Sequence, residues 1–71
     1  MAPSMKSVAS SHVSKIGYDE SSEELHVEYD NGRVIVYSGV PAGVASKVMD
    51  SESIGSALHA RVRGRYDFQM V

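Results

Sequence analysis

Three arginines crowd the end of the chain, at Arg61, Arg63 and Arg65. A guanidinium group is a planar fork of N–H donors that fits a phosphate with two hydrogen bonds. On a helix, Arg61 and Arg65 share a face at four-residue spacing, and Arg63 points elsewhere. The plainer reading is a solvated helix face whose cations favour the C-terminal end of the helix dipole. On the arginines alone that reading is preferred, because three cations make a small electrostatic footprint. Ser53 and Gly55 open the same segment, where backbone N–H groups would face an anion. Simple capping by Ser53 accounts for them equally well.

The tyrosines Tyr18, Tyr29, Tyr37 and Tyr66 have faces on which bases stack. Tyrosine also fills small cores with its hydroxyl at the rim, and that reading is preferred for Tyr29 and Tyr66. His12, His26 and His59 lack the spacing of metal ligands. The chain has no cysteine, which removes disulfides, thiolate metal sites and thiol nucleophiles. No serine lies in a Gly-x-Ser-x-Gly elbow, and no glycine-rich phosphate loop occurs. The acidic clusters around residues 19–24 and 50–52 fall in expected turns. No enzyme activity, cofactor or metal is expected.

The elements that would carry these residues fit one small domain. At 71 residues the chain buries only about 60% of its unfolded surface, so self-association is a natural source of extra buried area. Its 42% hydrophobic content and net charge of −2 exclude a disordered chain. Residues 1–52 carry −4 and residues 53–71 carry +2, so the only basic region is local. No apolar run approaches the ~20 residues of a membrane span. The N-terminus is too polar for a signal peptide, and a cytoplasmic protein is expected.

Residues 1–6 are expected to form a flexible arm and residues 7–71 a single domain. Residues 7–11 suit an edge strand or a loop, and 12–18 a strand. Leu25, Val27 and Tyr29 alternate with His26, Glu28 and Asp30, the pattern of a half-buried strand. Asn31-Gly32 then signals a hairpin, and residues 33–37 form the return strand. The hairpin register stays open. A two-residue turn pairs Val27 with Val36, and a three-residue loop with Gly32 in a bulge pairs Val27 with Ile35. One residue of slip exchanges the two faces, so Tyr37 is core in one register and surface in the other. Pro41 suits the start of a short helix to Met49. Ser53 caps a last helix with Ile54, Ala57, Leu58 and Val62 as its apolar stripe. Residues 66–68 are placed to dock back onto the sheet. The expected fold is α+β: a small antiparallel meander of about three strands followed by one or two C-terminal helices.

Several short pieces carry a resemblance in their order and spacing. They are Ser10-Ser11, Ile16-Gly17-Tyr18-Asp19, Leu25, Val27, Tyr29, Asn31-Gly32, Tyr37, Val40-Pro41, Ser53, Gly55, Val62-Arg63 and Tyr66. Over residues 6–66 the chain resembles a KTSC domain. This short module occurs alone in bacteria and phages and at the C-terminus of some lysyl-tRNA synthetases. The chain departs from the family pattern at Ile35, where a Tyr-x-Tyr pair would begin, and at Leu58-His59, where an aromatic and an asparagine often stand. The resemblance implies an RNA-binding role.

The expected function is therefore a non-catalytic binding module for RNA or another phosphate-bearing nucleic acid. Arg61, Arg63 and Arg65 would contact phosphates, and Tyr37, His59 and Ser53 would line the adjacent surface. One alternative is a self-associating binder of a nucleotide, such as a phage sequestering protein. A second is a protein-interaction domain using an open sheet edge.

Overall fold

The computed structural model describes residues 5–8 and 12–71. Five antiparallel strands form one sheet in chain order: β1 (Lys6–Ser7), β2 (Val13–Asp19), β3 (Glu24–Tyr29), β4 (Val34–Ser38) and β5 (Asp67–Met70). Helices α1 (Ala42–Met49) and α2 (Ile54–Arg61) are inserted between β4 and β5. The α+β class and antiparallel sheet match the expectation. The strand count and the place of the helices do not. The chain returns after α2 to add β5 beside β4, a pairing of Ile35 with Met70 and Tyr37 with Phe68. Such long-range pairing leaves little local trace, and Asp67–Met70 is too short for an alternation to stand out. Lys6, expected in the arm, pairs with Ile16. The rest of the arm up to Ser4, and Ser10-Ser11, lie outside the described residues.

The β3–β4 turn settles the open register. Gly32 has φ +86°, and its N–H donates to the Tyr29 carbonyl at 2.9 Å. Only glycine adopts that conformation without strain. The resulting three-residue loop pairs Val27 with Ile35 and Leu25 with Tyr37. Tyr37 therefore belongs to the core face and is 3% exposed. The surface alternative for Tyr37 is excluded.

A bulge between Val13 and Lys15 does similar work in β2. Three positions apart, Val13 and Ile16 would face opposite sides of a regular strand. The extra residue re-phases the strand, so Val13 lies opposite Tyr29 and Ile16 opposite Val27, and both are buried.

The helices cover this face. α2 contributes Ile54, Ala57 and Leu58, and α1 contributes Ala45 and Val48. Val40 and Val62, flanking the helical pair, are fully buried. The Tyr18 hydroxyl donates to the Val40 carbonyl, tying the β4–α1 link to the sheet. Ser53 occupies the N-cap position but makes no side-chain capping bond; its hydroxyl donates to Ser56 Oγ at 3.0 Å instead. Among the described residues, no helix is long and apolar enough to cross a membrane.

Candidate functional site

Helix α2 ends earlier than the arginine spacing requires. Arg61 is its last residue, and Val62 is the C-cap. The Arg63 N–H reaches back to the Leu58 carbonyl at 2.8 Å, and the Arg65 N–H to the Val62 carbonyl at 3.0 Å. Gly64, at φ +77°, turns the chain toward β5. The expected helical pairing of Arg61 with Arg65 is therefore absent, because Arg65 lies in a turn. The glycine that weakens the helix in sequence lies three residues beyond its last residue, in the turn that leads to β5.

Two grooves flank this turn, sharing Tyr29, Asn31 and Arg63. The first, about 890 Å³, lies between the exposed side of α2 and the β3–β4 hairpin. It gathers Ser53, His59 and Arg63 from the expected set, with His12, Asp30, Glu52 and Ser56. Arg63 is its one arginine or lysine, against the carboxylates of Asp30 and Glu52, which disfavours an anion.

The second groove, about 450 Å³, runs over the part of the sheet that the helices leave open. Arg33 and Arg63 line it, with Tyr29, Ile35, Tyr37, Phe68 and Met70. No acidic residue is among its lining residues. Phe68 is 59% exposed, and its ring lies 6.0 Å from that of Tyr37. The Tyr37 hydroxyl faces the Tyr29 hydroxyl at 3.5 Å. Burial raises the Tyr37 pKa well above its usual value, the bond with Tyr29 adds to this, and the nearby Arg63 cation opposes it. Tyr37 is thus a neutral floor residue beside Arg63, with no free face for stacking. Phe68 has that free face.

Of the expected residues, the structure joins Arg63 with Tyr37 in one groove and with Ser53 and His59 in the other. Arg61 and Arg65 are exposed and line neither. Sequence reasoning missed Arg33 and Phe68. Arg33 follows the turn glycine and reads as a strand-end cation, 30 positions from Arg63. Phe68 reads as a core residue docking back. No local signal marks either one, since their roles depend on β5 lying beside β4. His26 lies elsewhere, on the opposite face of β3, with Nε2 3.5 Å from Glu24 Oε1. Among the described residues no cluster of histidine and carboxylate side chains could hold a metal ion.

The fold and groove define a small antiparallel α+β domain with a basic, aromatic-floored trough. The KTSC domain model matches residues 9–66, and the chain belongs to the KTSC domain family. It is 36% identical over 53 residues to an uncharacterized protein from Stutzerimonas stutzeri, covering 72% of this chain and 75% of that protein. It is also similar to the crystal structure of a KTSC domain protein from Yersinia pestis. That match has a TM-score of 0.91 and 25% identity, and it covers 99% of each chain.

Proposed function

We propose that the chain is a non-catalytic binding module for single-stranded RNA, with the groove between Arg33 and Arg63 as its site. One observation carries this reading: two arginines flank an aromatic and apolar trough that has no acidic lining residue. Each guanidinium binds a phosphate oxygen pair, and the exposed face of Phe68 stacks on a base. Single-stranded nucleic acid is recognised by this combination of a basic track and aromatic platforms. A groove of about 450 Å³ also lies in the size range of small-ligand sites, so a free nucleotide shares the chemistry. The net charge of −2 makes binding local and unsuited to coating a duplex.

Fluorescence anisotropy with a labelled single-stranded oligoribonucleotide tests the reading. Wild-type protein should bind with an affinity that falls as salt rises. The Arg33→Gln and Arg63→Gln variants should each reduce the salt slope by about one. Phe68→Ala should cost roughly 1–3 kcal/mol of binding, the contribution of one stacked base. Arg61→Gln and Arg65→Gln should change affinity least. Absence of binding to both the oligonucleotide and free nucleotides would sink the proposal. Binding to a mononucleotide with equal affinity would move the ligand to the smaller class.

A further inference from the structure

The two edges of the sheet differ in how they are defended. β1 is two residues long and carries Lys6, features that discourage pairing with another chain. β5 is four residues long, lies at the opposite edge, and has no lysine, proline or bulge. Phe68 and Met70 are 59% and 57% exposed. They continue the helix-facing side of the sheet past Ile35 and Tyr37.

The ladder shows which backbone groups are free. The Val71 N–H donates to the Val34 carbonyl at 2.9 Å, so Val71 makes its hydrogen bond inward to β4. In an antiparallel pair the bonded positions alternate. Gln69 and Asp67 therefore also bond inward, and Phe68 and Met70 direct their N–H and C=O groups to the open edge.

We propose that β5 pairs antiparallel with β5 of a second copy of this chain, giving a continuous ten-stranded sheet. A two-fold axis through the seam sets Phe68 opposite the partner's Met70 and Gln69 opposite the partner's Gln69. Every outward N–H and C=O of Phe68 and Met70 then finds a partner, as it does in an internal strand pair. No charged side chain meets its own copy, because the residue on the axis is the neutral Gln69. Four apolar side chains become neighbours on one face. An aromatic side chain spans about 150–250 Å², so these four expose on the order of 400 Å² in total. With the two strand edges added, the contact stays below the ~1,000 Å² of a small specific interface, so the dimer is a weak and concentration-dependent one. A chain this short gains stability from such burial. Pairing also sets the two grooves side by side across the seam, doubling Arg33 and Arg63. That last consequence rests on the nucleic-acid reading; the pairing itself does not.

Sedimentation analysis of the full chain over a wide concentration range tests the proposal. The wild type should form a concentration-dependent dimer. Met70→Pro removes a donor that faces only the open edge, so it should abolish the dimer while circular dichroism stays unchanged. Gln69→Lys and Gln69→Glu each place like charges opposite one another. Each should weaken association by about fivefold, and an equimolar mixture of the two should restore it. This charge swap keeps the test decisive if the proline variant misfolds. A wild type that stays monomeric overturns the proposal and leaves the edge to an extended segment of another protein. A dimer indifferent to all three substitutions overturns it as well. Loss of RNA binding with an intact dimer leaves the pairing standing.

Discussion

One side of the sheet has two fates. Across β2 and β3 its residues lie under α1 and α2, and Ile16, Leu25 and Val27 are fully buried. Across β4 and β5 the same alternation continues, yet Ile35 is half-buried and Phe68 and Met70 are largely exposed. The pattern of side chains is equally apolar in both halves. What differs is the reach of two eight-residue helices, which cover only part of a five-stranded sheet. The covered half stabilises the fold. The open half, bordered by Arg33 and Arg63, is left to solvent.

The largest effect expected from this contrast is on stability. Leu25→Ala in the covered half should destabilise by about 2–5 kcal/mol, since it deletes a fully buried side chain. Phe68→Ala in the open half should change stability by about 0.5 kcal/mol or less in dilute solution. Denaturant titration of both variants checks this, and equal losses would break the contrast.

Tyr37 stands on the boundary between the halves, and its effect should be smaller and confined to alkaline pH. Its pKa in the folded chain is raised above the ordinary 10.0, chiefly by burial. The fold therefore favours the neutral phenol. That stabilisation is complete below pH 10 and is lost above it, as the unfolded chain ionises first. Tyr37→Phe should move the alkaline unfolding midpoint upward, measured by circular dichroism against pH. An unchanged midpoint would place the phenol in water and extend the open half to Tyr37.

The smallest effect belongs to the β2–β3 turn, away from both grooves. Asp19 accepts hydrogen bonds from the Ser21 N–H at 3.1 Å and its hydroxyl at 2.7 Å. These hold the Asp19 pKa below its ordinary value, led by the hydroxyl bond. Stability from this group is present above the ordinary value and lost as pH falls through the lowered one. The carboxylate is exposed, so Ser21→Ala should raise its titration point in a proton resonance experiment and leave thermal stability nearly unchanged.

The sequence by itself determined the elements whose causes are local. The alternation of Leu25, Val27 and Tyr29, the Asn31-Gly32 turn and the stripe of Ile54, Ala57, Leu58 and Val62 all reappear in the structure. Side-chain period and backbone sterics act over a few residues and can be read there. The register of the hairpin stayed open, because both turn lengths suit Asn-Gly and either Val34 and Val36 or Ile35 and Tyr37 could supply the apolar face of the return strand. The arginine cluster misled in part, since the helix ends at Arg61 and the turn that follows separates Arg61 and Arg65 from Arg63. The tertiary structure alone decided that β5 returns beside β4, that Arg33 and Arg63 line one groove, and that Phe68 is left uncovered. Those three facts depend on long-range packing, in which the helices bury one half of a sheet face and have no surface left for the other.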